Sequence, residues 1–175
     1  MRGAWATLFF FIPSLVLASS DYRADNHDWN GLSELADLAR ATGFVFEERR
    51  TLAWEEIGAR DTLVVLYPKT PVDPEHLAAF VRGGGLLIFG DDFGSGDAVL
   101  GRFGLLRGPP RGAGARPAYD DNAALLLARP VASHSLTAGV GELVTNHPAV
   151  FRVSGGFRPL FALSAFVSLL AVRAQ

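Results

Sequence analysis

Two adjacent carboxylates, Asp91 and Asp92, are the residues of this sequence best placed for chemistry. They follow residues 86–89, a short apolar run that is typical of a strand covered on both faces of a parallel sheet. Ligands of open α/β sheets bind outside the carboxyl ends of the strands, so a site is expected here. The pair could bind a divalent cation or supply a base with a shifted pKa. We favour the simpler interpretation that one carboxylate caps the following glycine-rich turn and the other is solvated.

A second cluster lies in residues 21–30, DYRADNHDWN. Because this loop precedes the first predicted helix, it should lie at the same edge of a parallel sheet, where Asp25, His27 and Asp28 could join Asp91 around a metal ion. The spacing matches no dedicated metal motif, such as the calcium loop. The alternatives are a loop whose Asp and Asn residues cap a helix while its tryptophan packs on the domain, and a polar pocket floored by an aromatic ring that binds a sugar or a peptide. The predicted ligand contacts are Tyr22, Asp25, Asp28, Trp29, Asn30, Asp91 and Asp92.

Serine and histidine residues are weaker candidates for catalysis. Ser33 with His27 as its base would be a nucleophile, but a serine one turn into an amphipathic helix is usually solvent-facing or a helix-start residue. Ser95 lies in a flexible Gly-Ser-Gly turn, which lacks the spacing of a strained nucleophile elbow. His134 and His147 lie in predicted loops, and the proline after His147 should hold that residue in extended geometry.

Helices and strands alternate over the first hundred residues, and they would position these side chains. One predicted helix covers residues 31–42, with Asn30 as its N-cap. Another ends at the three glycines 83–85, because glycine adopts the left-handed conformation of a helix C-cap. The apolar faces of the two helices are Leu32, Leu35, Leu38 and Ala39, and Leu77, Phe80 and Val81. With strands at 44–47, 62–67 and 86–89, this alternation predicts an α/β fold with an open, mainly parallel sheet flanked by helices.

Composition excludes several classes of function. The chain has 175 residues, enough for one domain with a substantial core. A net charge of −2 leaves no basic surface to indicate nucleic-acid binding. The absence of cysteine excludes disulfides, thiolate metal ligands and a cysteine nucleophile. No cofactor is predicted.

The two ends of the chain are apolar. Arg2, an apolar run over 4–17 and small residues at 18–20 have the pattern of a secretory signal peptide or N-terminal anchor. The alternative is that residues 14–18 form the first strand of the domain. We therefore divide the chain into a leader over 1–20, an α/β domain over 21–163 and an apolar tail over 164–175. The uncharged stretch 160–172 is expected to be a buried helix or two strands, and it suggests truncation of a larger domain.

Several motifs, each weak alone, together resemble the DUF4350 family over about residues 20–163. They are YRADN at 22–26, DWNGLS at 28–33, LYP at 66–68, GGG at 83–85, DDFG at 91–94, SHSLTAGV at 133–140 and TNHPA at 145–149. The resemblance implies a fold like that of class I glutamine amidotransferases and a bacterial source. It also implies an exported or membrane-attached protein, since members are often of that kind and some are encoded with ABC-type transport systems. The family itself is of unknown function.

Two departures from the resemblance bear on function. The amidotransferase relatives carry a cysteine nucleophile just after the strand that matches 86–89, where this chain has Asp91 and Asp92. Glutaminase chemistry by that route is therefore excluded. The family also continues with a glycine-rich strand and an Asp-Pro-Ser/Asn segment, and nothing after Ser164 matches these.

From the residues and the resemblance together, we predict an exported, non-catalytic domain of the cell envelope that binds a small ligand or an envelope protein. The alternative is a hydrolase, metal-assisted or not, that uses Asp91 or Asp92 with His27. A third hypothesis is an assembly partner of a membrane complex, which would need an exposed apolar patch larger than a few hundred Å². The tail over 160–172 would be its source.

Overall fold

The computed structural model describes residues 7–11, 21–109, 117–153, 156–164 and 167–173. The chain divides into two units, residues 1–99 and 100–175. The described strands form a four-stranded sheet and a six-stranded sheet. The predicted α/β class is confirmed, but the prediction of one mainly parallel sheet is corrected. The four-stranded sheet is parallel, and the six-stranded sheet is antiparallel.

The first unit alternates strands and helices around its parallel sheet. In chain order its elements are β1 (Thr7–Phe11), α1 (Ser33–Ala41), β2 (Val45–Arg49), a 3₁₀ helix (Trp54–Glu56), β3 (Thr62–Leu66), α2 (Pro74–Arg82) and β4 (Leu86–Gly90). The strand order is β2-β1-β3-β4. After β1 the chain adds β2 on one side, and after β3 it adds β4 on the opposite side. The switch point of the topology, where α/β sheets bind their ligands, lies between the carboxyl ends of β1 and β3.

Helix α2 ends at the glycines as its sequence predicts, and a capping residue fixes its start. Asp73 is the N-cap, and its carboxylate accepts hydrogen bonds from the backbone N–H groups of Glu75 (2.8 Å) and His76 (3.4 Å). Proline is tolerated at the first helical position, which Pro74 fills. After the C-cap, Gly84 takes the left-handed φ of +105° that a side chain would disfavour.

Helix α1 packs through only part of the predicted face, in which Ala39 is buried and Leu32 packs against the same core cluster. Its buried residues are Ser33, Ala36 and Ala39, whereas Leu35 and Leu38 are exposed. Small side chains let the helix lie close to the sheet, where Ala39 and Val64 share one cluster of the core. The predicted N-cap is also wrong, because Leu32 occupies that position without a side-chain bond.

Strand β4 is an edge strand of the parallel sheet, and this corrects its predicted burial on both faces. Among the described strands it pairs with β3 alone. Residues two apart point to the same face of a strand, and Leu86 and Ile88 are 56% and 49% exposed. By contrast, residues 63–65 of the interior strand β3 are all buried.

The second unit follows α3 (Asp97–Arg102), a short helix that spans the boundary between the units. Its strands are β5 (Leu105–Gly108), β6 (Leu127–Pro130), β7 (Leu143–Val144), β8 (Val150–Val153), β9 (Phe157–Ser164) and β10 (Val167–Arg173), in the order β5-β8-β10-β9-β6-β7. The core cluster of this unit contains Leu126, Ala128, Val150, Leu160, Phe161 and Leu163.

The apolar stretch 160–172 forms two strands, which was one of the two predicted structures. Strands β9 and β10 run antiparallel, with Arg158 opposite Val172. Leu160 and Phe161 are buried, so these side chains belong to the core and do not supply the exposed apolar patch that the assembly hypothesis requires.

The first described strand is Thr7–Phe11, and it pairs with both β2 and β3. Residues 14–18, the alternative first strand, lie outside the described residues. Among the helices that the structure describes, none is both long enough and apolar enough to cross a membrane. The leader and the tail boundary stay predictions.

The N-terminus of α2 should make stability depend on pH. A hydrogen bond with His76 (Nδ1 to Oδ2, 2.7 Å), followed by the bonds from the backbone, holds the pKa of Asp73 below its ordinary value. A depressed pKa stabilises the fold above the unfolded pKa of about 3.9, and that contribution is lost as the pH falls through the folded pKa. The free energy of unfolding in urea should therefore fall more steeply below about pH 4 in the wild type than in Asp73→Asn.

Asparagine is a good N-cap residue but cannot ionise, so Asp73→Asn separates the cap from the charge. Asp73→Ala removes both and should be less stable than Asp73→Asn at every pH. Equal pH profiles for the wild type and Asp73→Asn would contradict the assigned interaction.

Candidate functional site

Two tyrosines meet at the switch point of the parallel sheet. Tyr67 directly follows β3, and Tyr22 lies in the segment between β1 and α1. Their ring centroids are 6.1 Å apart with the planes tilted by 40°. Both residues have left-handed backbones, with φ of +59° for Tyr22 and +43° for Tyr67. This conformation is rare for bulky residues and persists only where the surroundings impose it, and such residues are enriched at functional sites.

The hydroxyl of Tyr22 is a hydrogen-bond donor at neutral pH. Burial of the ring, followed by the negative charges of Asp92 and Asp21, raises the pKa of Tyr22 above its ordinary value. The phenol therefore stays protonated, and it is unsuited to act as a base or a nucleophile. The charge of Asp92, in the turn that follows β4, thus acts on Tyr22 in the 21–30 loop.

The side chain of Asn26 holds the loop over residues 21–32 together. It is buried; its Nδ2 donates to Oδ1 of Asn30 (3.1 Å), and its Oδ1 accepts from the N–H of Asp28 (2.8 Å). Asn30 in turn donates from Nδ2 to Oδ1 of Asp21. Sequence reasoning missed Asn26. The available signal was an asparagine four residues before a second asparagine, in a loop rich in groups that need partners.

Backbone hydrogen bonds close the same loop. The N–H of Tyr22 donates to the carbonyl of Asn30 (2.7 Å), and the N–H of Leu32 donates to that of Arg23 (2.9 Å). The N–H of Ala24 donates to a carboxylate oxygen of Glu48 on β2 (2.9 Å), which ties the loop to the sheet. Asn30 thus organises the loop that precedes α1, and it does so instead of capping that helix.

A pocket of about 380 Å³ opens in this loop. It is lined by Asp21, Tyr22, Trp29, Asn30, Gly31 and Leu32. Trp29 is 87% exposed, so its ring lies at the rim and does not pack on the domain as the capping-loop interpretation required. Three of the predicted contact residues, Tyr22, Trp29 and Asn30, therefore share one cavity.

Asp25 and Asp28 are not among the residues that line the pocket. Asp25 forms a bidentate ion pair with Arg23. Nε of Arg23 donates to Oδ1 of Asp25 (2.8 Å), and Nη2 donates to Oδ2 (2.7 Å). This hydrogen bonding keeps the pKa of Asp25 below its ordinary value. Asp28 and His27 are exposed. Within the part of the chain that the structure describes, no group of three or more His, Asp or Glu side chains is arranged to hold a metal ion.

The carboxylate of Asp91 binds the glycine turn that follows β4. It is 7% exposed, and its two oxygens accept from the N–H groups of Gly94 (2.5 Å) and Gly96 (2.7 Å). A Cβ atom at either glycine would lie within 2.6 Å of this carboxylate, so the turn requires glycine at both positions. Asp92 is half-buried and accepts from the N–H of Phe93 (2.8 Å). Of the two carboxylates, Asp91 is the turn cap that we favoured.

The serine candidates have structural contacts. Ser33 is the first residue of α1, which was one of the two expected positions, but it is buried and does not face solvent. Its N–H donates to the carbonyl of Asn26 (3.3 Å). The hydroxyl of Ser95 donates to the carbonyl of Lys69 (3.2 Å), which joins the β4 turn to the segment after β3.

The loop histidines also have structural contacts. Nδ1 of His134 accepts from the N–H of Leu136 (3.1 Å) and caps the 3₁₀ helix Ser135–Thr137. His147 has a left-handed φ of +46°, so the prediction of extended geometry before proline is wrong there. Its N–H donates to the carbonyl of Ala124 (2.8 Å), which ties the segment around His147 to the segment before β6.

The comparison with protein families agrees with the motifs. The chain is an α/β protein with a loop pocket at the carboxyl edge of its parallel sheet. It belongs to the family described as Domain of unknown function (DUF4350), whose model matches residues 24–168. Searches of curated proteins and of solved structures found no match.

Substituting each of the adjacent carboxylates should separate their roles. In Asp91→Asn, an amide N–H₂ faces a backbone N–H at the buried turn, which should lower the free energy of unfolding by about 1–3 kcal/mol. Asp92→Asn should change it by no more than about 0.5 kcal/mol, since that side chain is only half-buried.

Asp92→Asn has a second expected effect. Removing the negative charge should lower the pKa of Tyr22, measured as the tyrosinate absorbance that disappears when Tyr22→Phe is added. An unchanged pKa would contradict the proximity of these two groups.

The close approach of Gly31 to the loop gives another prediction. A Cβ atom at Gly31 would lie 1.9 Å from the carbonyl oxygen of Asn26, so Gly31→Ala must open the loop. We expect a loss of about 1–3 kcal/mol in the free energy of unfolding, together with a changed near-ultraviolet circular dichroism signal from the aromatic rings. Gly58→Ala is the matched control, because its Cβ would meet only Asp61 at 3.6 Å. Similar losses in both variants would argue against a rigid loop.

Proposed function

We propose that this protein is a non-catalytic ligand-binding domain of the bacterial cell envelope, and that the pocket over residues 21–32 is its binding site. The contact between Tyr22 and Tyr67 carries the proposal. It joins two strained residues at the point of the sheet where α/β folds bind ligands, next to a pocket whose size falls in the usual range of roughly 300–1,000 Å³. Strain of this kind is maintained where it positions a side chain for a task.

The state of the polar groups favours binding over catalysis. The phenol of Tyr22 remains protonated, and the carboxylate oxygens of Asp91 accept bonds from the turn. Asp25 is neutralised by Arg23. The alternative of a hydrolase using Asp91 or Asp92 with His27 needs a carboxylate that can exchange protons with substrate. Asp92, half-buried beside Tyr22, is the residue on which that alternative now rests.

Export and the wider fold family belong to the same proposal. We propose that the parallel sheet belongs to a fold like that of class I glutamine amidotransferases. We also propose that the protein acts beside an envelope protein or an ABC-type transporter. The structure adds one condition to processing. Since β1 lies within residues 1–20, cleavage after residue 20 would remove the strand between β2 and β3. The intact mass of the protein recovered from the periplasm shows whether residues 1–20 have been cleaved or retained.

Binding at the pocket can be tested with a small panel of soluble probes. The panel contains maltotetraose, tetra-N-acetylchitotetraose and tetra-alanine, each added to protein labelled with ¹⁵N. The resonance of the Trp29 indole N–H, identified by its loss in Trp29→Phe, should shift with at least one probe. The indole of Trp54, which stacks on His76 outside the pocket, should not.

Mass spectrometry of the recovered probe completes this experiment. A probe that shifts the Trp29 resonance should come back unchanged, as expected of a binding domain. Cleaved product would overturn the non-catalytic assignment in favour of the hydrolase. A panel that leaves the Trp29 resonance unmoved would overturn the assignment of the pocket itself.

A further inference from the structure

We infer that the ligand of this pocket is an uncharged carbohydrate, held with one sugar ring against the face of Trp29. The inference rests on the proposed binding function and specifies its ligand class. It is drawn from the placement of the tryptophan, the use of the loop's backbone groups and the charges around the cavity.

The exposure of Trp29 is the first observation. An indole that is 87% exposed leaves a large apolar face in water, and this one is at the rim of a cavity with Asp21 and Asn30. A pyranose ring presents a face of C–H groups and an edge of hydroxyls. The face can pack on the indole while the hydroxyls reach polar side chains at the rim. An amphipathic ring on an amphipathic platform is therefore a good chemical match.

The backbone of the loop argues against an extended peptide. Peptides that bind along a protein backbone add a strand by pairing with unused N–H and C=O groups. In this loop the N–H groups of Tyr22, Gly31 and Leu32 already donate to carbonyls within the loop. Those of Asn26 and Ser33 do the same. Because the N–H groups of Tyr22, Gly31 and Leu32, which line the pocket, are paired within the loop, we expect side chains to carry most of the recognition, as they do for sugars.

The charges near the cavity select an uncharged ligand. The carboxylates of Asp21 and Asp92 both act on the phenol of Tyr22. A uronic acid or a phosphorylated sugar would place a further negative charge beside them, which is unfavourable in a partly buried site. The protonated phenol offers a donor, and carboxylates offer acceptors, so both kinds of hydroxyl contact are present.

The rigidity of the loop should increase its affinity for a ligand that interacts weakly. The side chains of Asn26, Asn30 and Asp21 are joined in one chain of hydrogen bonds. The close packing of Gly31 against Asn26 further restricts the conformations of the same loop. Because the loop is ordered before the ligand arrives, little conformational entropy is lost on binding.

The test is calorimetric titration of the full chain with four probes: maltotetraose, tetra-N-acetylchitotetraose, tetragalacturonate and tetra-alanine. At least one neutral tetrasaccharide should bind, and the anionic tetragalacturonate should bind at least about tenfold more weakly. Trp29→Ala should weaken the neutral sugar at least about tenfold through loss of the stacked ring. Trp54→Ala is the matched control and should leave sugar affinity unchanged, because Trp54 stacks on His76 and does not line the pocket.

The outcomes separate this inference from the proposed function. Binding of tetra-alanine that depends on Trp29, without sugar binding, would overturn the carbohydrate assignment and leave the binding function standing. Sugar binding that is equal in the wild type and Trp29→Ala would overturn the stacking geometry. Tighter binding of the galacturonate would overturn the charge argument. If no probe binds and none shifts the Trp29 resonance, both proposals fail.

Discussion

The buried amide of Asn26 is the interaction on which the candidate site depends. A buried polar group must find partners, and this one finds them in Asn30 and in the backbone of Asp28. Those bonds decide where the following residues go. The loop then presents Trp29 outward and returns to the start of α1 with Gly31 against the carbonyl of Asn26. Together with the backbone bonds that close the loop, this amide fixes the aromatic and polar side chains relative to each other.

The adjacent pair Asp91 and Asp92 shows how one turn assigns different tasks to identical side chains. The carboxylate of Asp91 accepts hydrogen bonds from two glycine N–H groups in the turn that follows β4. Asp92, the next residue of the same turn, accepts from the N–H of Phe93, and its charge acts on the phenol of Tyr22. Burial and geometry, which are properties of the fold, separate a structural carboxylate from one that tunes the electrostatics of a site.

Much of the first unit could be predicted from local sequence. The glycine stop predicts the end of α2, and the alternation of helices and strands predicts the α/β class, whereas the capping role of Asp73 was not predicted. Only part of the α1 face could be read from hydrophobicity, because tight packing on the sheet buries Ala36 and Ala39 while Leu35 and Leu38 stay exposed. The exposure of β4 depends on its place at the edge of the sheet, which the apolar run 86–89 does not encode.

The candidate site was predicted in part for the same reason. The carboxyl edge of a parallel sheet is a general rule, so Tyr22, Trp29, Asn30 and Asp92 could be proposed as neighbours. The roles of Tyr67 and Asn26 could be recognised only from the structure. Tyr67 is placed by its left-handed backbone, and Asn26 forms its hydrogen bonds because its side chain is buried. Asp25 was placed in the site on residue type, whereas the local contact with Arg23 directs it outward.

The position of β1 has a consequence for the order in which the sheet assembles. Thr7 pairs with Val45, and Leu8 pairs with Thr62, so the first strand to be synthesised has both its partners far along the chain. Closing such long loops is slow, because the entropy of the intervening chain is lost before the contacts form. On a ribosome, β1 would emerge early and wait for β3 before both of its edges are paired. During that interval an apolar strand has unpaired edges and is open to chaperones or to aggregation, so the order of synthesis affects how this sheet folds.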